Sequence, residues 1–170
     1  MPRAQAASAP ARAYQVLPHV PVGQVTGLVE RVHFDGDRSD IYLLGRELQM
    51  EVDDLLPLIQ AIDLLDLGDL QSGDVLLTPT GIRFAEAGVL EEKVVFRQQA
   101  LANVQLIQKI VKMLEAAPSH RVRHEGVLND LARYFSAEEA ERQLETAIDW
   151  GRYAELFAYD DQDGVFFREE

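Results

Sequence analysis

The side chains best placed by type and spacing to do chemistry crowd the end of this sequence. In YDDQDGVFFREE, Asp160, Asp161 and Asp163 precede Gly164, and Glu170 closes the chain. An EF-hand calcium loop needs oxygen ligands at positions 1, 3 and 5, glycine at 6 and glutamate at 12. Asp161, Asp163, Gly164 and Glu170 fit positions 3, 5, 6 and 12, but position 1 falls on Tyr159, which is no calcium ligand. Asp and Gly tolerate positive φ, so the stretch reads as the turn of a hairpin instead. His120 and His124 stand four apart, a spacing that could hold zinc on one helix face. Pro118 and Ser119 put them in a loop or at a helix start, Glu125 lies outside the spacer, and no third ligand is evident. A solvated basic loop is the expectation, because a metal site needs three or four convergent ligands. There is no Gly-x-Ser-x-Gly elbow, no phosphate-binding Gly-x-x-x-x-Gly-Lys loop and no Gly-x-Gly-x-x-Gly turn. The sequence therefore predicts no catalytic residue, no cofactor and no metal.

The 170 residues suffice for one medium domain or two small ones, and 47% apolar content is enough to build a core. A net charge of −13 repels phosphate backbones at long range. Cysteine is absent, which excludes disulfides and thiolate chemistry and fits a reducing, cytoplasmic compartment. No apolar run approaches the roughly 20 residues of a membrane span, so direct membrane insertion is not expected. Residues 1–15 are rich in Ala and Pro and read as a flexible linker or tail.

The elements that must position any site follow from apolar spacing. Val22, Val25, Leu28, Val29 and Val32 make one helical stripe, stopped at Asp35-Gly36-Asp37. Asp40 can cap a second helix with Ile41, Leu44 and Leu48 inward, and Val52, Leu55, Leu56, Ile59 and Ile62 mark a third, with Asp53 a candidate cap and Pro57 in the early turns. Leu67–Leu70 and Val75–Leu77 flank a Ser72-Gly73 turn, a hairpin signature. Thr78 then caps a helix that has Pro79 in its first position. A connecting helix spans 90–102, and the order repeats: a stripe through Val104, Ile107, Ile110, Val111 and Leu114, a second through Val127, Leu128 and Leu131, and a third opened by a capping box of Ser136 and Glu139. Gly151 is expected as its left-handed C-terminal residue, followed by a hairpin of Leu156–Tyr159 and Val165–Phe167. The predicted fold is mainly α with small β-hairpins (α+β): two tandem winged-helix-like units, 16–89 and 103–170, joined by a helix.

Winged helices usually read a major groove with their third helix, so a DNA-binding transcriptional regulator is the alternative function. The outward positions of the two third helices are Glu51, Asp53, Asp54, Gln60 and Asp63, and Glu138, Glu141, Arg142, Glu145 and Asp149. Carboxylates dominate both, whereas phosphate contacts need Lys and Arg. No nucleic-acid partner is expected. The aromatic residues Trp150, Tyr153, Phe157, Tyr159, Phe166 and Phe167 are expected mostly to complete a core, with the outward ones available to a protein partner.

Four stretches carry a family resemblance: Tyr14-x-x-Leu17-Pro18-His19-Val20, Glu51 through Leu58, Leu77-Thr78-Pro79-x-Gly81-x-x-Phe84-Ala85, and Ala147-Ile148-Asp149-Trp150-Gly151-Arg152-Tyr153-Ala154-Glu155-Leu156-Phe157. From Tyr14 to Phe167 the chain resembles the AAA-associated C-terminal domain found behind the ATPase of nitrate/sulfonate/bicarbonate (taurine-like) ABC importers. The resemblance implies a non-catalytic, regulatory protein-interaction module whose partner is an ABC transporter ATPase subunit or a second copy of itself. It implies cytoplasmic placement at the inner face of the membrane through the transporter complex. The ATPase itself is not in these 170 residues, so the chain is either an accessory protein or an excised piece. Asp149, Trp150, Arg152, Tyr153, Glu155 and Phe157, in the longest of the motifs, are the candidate interaction residues.

Overall fold

Each half of the chain builds the same order of elements, and the short strand between its first two helices is what completes its sheet. The computed structural model describes residues 14–168. Glu170 and most of the expected tail lie outside them. In the first half, α1 (Val22–Phe34) leads through β1 (Arg38–Asp40) to α2 (Ile41–Leu48) and α3 (Val52–Leu64), then to the hairpin β2 (Gly68–Gln71) and β3 (Asp74–Leu77), then to α4 (Pro79–Glu86). After α5 (Val89–Asn103), the second half runs α6 (Gln105–Ala116), β4 (Arg121–Arg123), α7 (His124–Leu131), α8 (Ala137–Tyr153), β5 (Ala158–Asp160) and β6 (Val165–Phe167). The sheets are antiparallel, with orders β1-β3-β2 and β4-β6-β5. The fold is α+β, mostly helical, as expected.

Local chemistry explains most boundaries. The predicted stripe of α1 is its buried face. The Asp40 carboxylate accepts from Tyr42 N–H and Leu43 N–H, Thr78 Oγ1 accepts from Gly81 N–H, and Ser136 Oγ accepts from Glu139 N–H, so all three expected caps satisfy otherwise orphaned first-turn donors. Ser72 and Gly73 both take positive φ, as a tight hairpin turn requires.

Five expectations need correction. First, helix α3 starts at Val52, so Asp53 is not its cap. Asp53 and Asp54 lie in the first turn, where they complement the helix dipole, and Pro57 falls in the second turn. Second, Gly151 does not end α8. The helix runs on to Tyr153, and Glu155 takes the left-handed φ of 57°. Gly151 serves a different need: a Cβ there would sit 2.0 Å from Phe157 Cζ. Third, Glu139 does not close the reciprocal half of the capping box, because its carboxylate is engaged by His19, Gln143 and Arg142. Fourth, the stretch after His120 is a sheet strand, not a loop. Fifth, Tyr14 and Gln15, read as part of the tail, are held: Tyr14 Oη donates to Asp130 Oδ2 at 2.8 Å, and Gln15 exchanges hydrogen bonds with Gln105.

Helix α5 is more than a connector. Val95, Phe96 and Ala100 are buried in a hydrophobic cluster continuous through both halves. The Phe96 ring lies 6.5 Å from Phe84 of the first half and 5.9 and 5.0 Å from Trp150 and Tyr153 of the second, the last two edge-to-face. Such pairs contribute about 0.5–1.5 kcal/mol each beyond area burial.

Candidate interaction surface

The second half's third helix is gripped on one face and open on the other. Leu17–Val22 lies along α8 as a strap. Gln143, itself buried, accepts from Leu17 N–H at 2.8 Å through Oε1 and donates to Leu17 O at 3.1 Å through Nε2. Trp150 Nε1–H donates to Val20 O at 2.9 Å in a fully buried position. Thr146 Oγ1 lies 3.0 Å from His19 Nδ1, and Glu139 Oε2 lies 2.7 Å from His19 Nε2. Glu139, Gln143, Thr146 and Trp150 recur at steps of four, three and four, which is one stripe of a helix. The hydrogen bond from Gln143, with His19 and Arg142 beside it, holds the Glu139 carboxyl below its ordinary range.

Asp149 extends the grip to α1. Pro21 precedes that helix and offers no side-chain cap, and Asp149 Oδ2 accepts from Val22 N–H at 3.2 Å instead. A carboxylate from α8 thus sits at the positive end of α1.

The remaining candidate residues divide by exposure. Trp150 and Phe157 are 0% and 5% exposed, so neither offers a ring to a partner; they hold the fold. Phe157 packs edge-to-face on Phe166 at 5.3 Å. Tyr153 is half-buried, and its hydroxyl donates to Glu92 Oε1 at 3.0 Å. Burial and Glu92 push the Tyr153 hydroxyl pKa upward, and burial raises Glu92 as well. Arg152 and Glu155 are exposed, with Glu155 Oε1 3.3 Å from Lys93 Nζ. The motif's exposed polar groups are therefore Asp149, Arg152 and Glu155, with one Asp149 oxygen engaged by Val22 N–H.

Both third helices present acid outward. Glu51, Asp53, Asp54, Gln60 and Asp63 on and before α3 are exposed, as are Glu138, Glu141, Arg142 and Glu145 on α8. The acidic turn at the chain's end is built for backbone: Asp160 Oδ1 accepts from Gln162 N–H and Asp163 N–H at 2.9 and 3.1 Å, and Gly164 supplies φ 64°. His120 and His124 are separated by β4, and they engage Leu114 O and the Tyr159 hydroxyl. Among the described residues, no group of three or more His, Asp or Glu could hold a metal ion, and no helix is long and apolar enough to cross a membrane.

Sequence reasoning missed Gln143 and Thr146. Two polar residues set between the apolar positions of α8 were the available signal that this face meets backbone.

A family model described as the C-terminal AAA-associated domain matches residues 42–160, from the first turn of α2 through β5. The match is narrower than the resemblance seen from Tyr14 to Phe167, and it leaves the strap and α1 outside. No curated protein and no solved structure matches the chain.

Proposed function

The chain belongs to the C-terminal AAA-associated domain family, and from that premise we propose that it is a non-catalytic accessory module that docks on an ABC-type ATPase subunit and regulates it. The family match over 42–160 carries this reading. The class of transporter proposed is the nitrate/sulfonate/bicarbonate group of importers, and the place is the cytoplasmic face of the membrane, held there through the transporter complex. The surface proposed for contact is the outward acid of α3, with Arg152 in the last turn of α8 and Glu155 just beyond it.

Two observations support a protein partner over nucleic acid. The exposed third-helix positions are dominated by carboxylates, which repel phosphate. The opposite face of α8 is occupied by the strap through Gln143 and Trp150. Two like modules are also free to associate, so self-association is the second arrangement the reading admits.

Titration calorimetry with the purified cognate ATPase subunit tests the proposal. Binding with a Kd of about 10 μM or tighter is expected, weakened about tenfold by Asp53→Lys with Asp54→Lys. Absence of any heat at tens of micromolar, in either nucleotide state, would count against docking. Affinity for random duplex DNA that falls as salt rises would instead favour a DNA-binding regulator.

A further inference from the structure

Where the strap first meets the second half, Tyr14 forms one wall of an open groove of about 570 Å³ over α6. Tyr134 stands edge-on to it with ring centroids 4.7 Å apart and remains 45% exposed. Met113 and Ala116 add apolar lining, and Lys109 and Lys112 edge the groove. These are two of only three lysines in a chain of net charge −13.

The charges do not cancel here. Asp130 is the carboxylate in contact with these groups, and it is already served three ways. Lys109 Nζ lies 2.7 Å away, Tyr14 Oη donates at 2.8 Å, and Arg133 lies 3.7 Å away. Burial alone would raise Asp130, but Lys109 and Tyr14 outweigh it and hold the carboxyl below its ordinary range. Lys112 is exposed and makes no ion pair among the described residues. The groove is therefore locally cationic, with an uncommitted ammonium beside an aromatic wall.

We propose that this groove binds a small organic anion with a flat apolar body, its acidic group on Lys112 and its body against Tyr134 and Tyr14. The volume lies within the range of sites for drug-sized ligands, about 300–1,000 Å³. A free ammonium at the rim favours an acidic group, and the exposed Tyr134 ring favours a planar body, so the two together select for one molecule carrying both. Tyr14 lies three residues before Leu17, the residue clamped by Gln143. A ligand resting on Tyr14 therefore steadies the strap against α8. This inference is independent of the docking proposal.

The test uses the full chain and 8-anilinonaphthalene-1-sulfonate, a flat aromatic anion, with uncharged N-phenyl-1-naphthylamine as comparison. Saturable one-to-one binding is expected, at least about fivefold weaker for the neutral compound and for Lys112→Glu, and weakened by salt. Tyr134→Ala should weaken it as well. Leu90→Ser, at an 81% exposed apolar residue of α5, should leave it unchanged. Hydrogen exchange at Leu17 and Val20 should slow on binding. Equal binding by wild type and Lys112→Glu, or loss of binding in Leu90→Ser, would overturn the site. Unchanged exchange at saturation would overturn the coupling to the strap. Binding of an acidic peptide but not of the sulfonate would overturn the small-molecule assignment.

Discussion

Replacing Gln143 with Met should cut the strap loose from α8 without changing the volume of the core much. Gln143 is 1% exposed and satisfies both the N–H and the C=O of Leu17, at 2.8 and 3.1 Å. Met has nearly the same length but offers neither an amide donor nor an amide acceptor. Two buried backbone groups would then be left without partners, at about 1–3 kcal/mol each, so the expected loss is about 2–6 kcal/mol. For a chain of this size, that corresponds to a fall in Tm of roughly 5–25 °C. The orphaned groups can regain water only if the strap lifts away, which also exposes Leu17 and Val20, now 1% and 7% exposed. Denaturant unfolding gives the energy, and hydrogen exchange resolved at Leu17 and Val20 gives the location. A Gln143→Met protein within about 0.5 kcal/mol of wild type, with the Leu17 amide still protected, would refute the claim that this clamp holds the strap.

Gly151→Ala should destabilise by about 1–3 kcal/mol, because the new Cβ would meet the Phe157 ring at 2.0 Å, and Phe157→Leu should recover part of that loss in a double-mutant cycle. If the two substitutions simply add, the close approach is not the cause. Glu139 and Glu92 should respond to pH in opposite senses. Glu139 lies below its ordinary pKa in the folded chain, so its contribution is present above the unfolded value and fades as pH falls through the folded one. Glu92 lies above its ordinary value, so its ionised form opposes folding at neutral pH and this penalty disappears in acid. Glu139→Gln should therefore be less stable than wild type at pH 7 and Glu92→Gln more stable, with the Glu92 difference gone near pH 3 and the Glu139 difference shrinking toward that pH in urea titrations. Differences that persist unchanged at that pH would show that packing, not charge, sets them.

Much of the fold was legible because local chemistry and tertiary packing agree. The α1 stripe, the caps at Asp40, Thr78 and Ser136, and the Ser72-Gly73 turn each announce themselves within a few residues. The strands Arg38–Asp40 and Arg121–Arg123 did not, because three residues are too short a run for alternation to stand out, and their pairing partners lie far along the chain. The role of Gly151 was misread for a related reason. Glycine near a helix end suggests a left-handed stop, and only the distant approach of the Phe157 ring shows that the missing Cβ is the point. The candidate interaction residues were half legible: aromatic burial was expected in general terms, but the commitment of Asp149 to Val22 depends on where α1 begins in space.

The clamp between Leu17 and Gln143 also sets an order of events during synthesis. The two residues are 126 positions apart, and Val20 and Trp150 are 130 apart. At about 5–20 residues per second, the ribosome releases the strap several seconds before it releases its docking groove. Leu17, Val20 and the first turn of α1 must wait in the open through that interval, so the first half cannot reach its final form as it emerges. Docking of the strap must therefore follow the synthesis of α8.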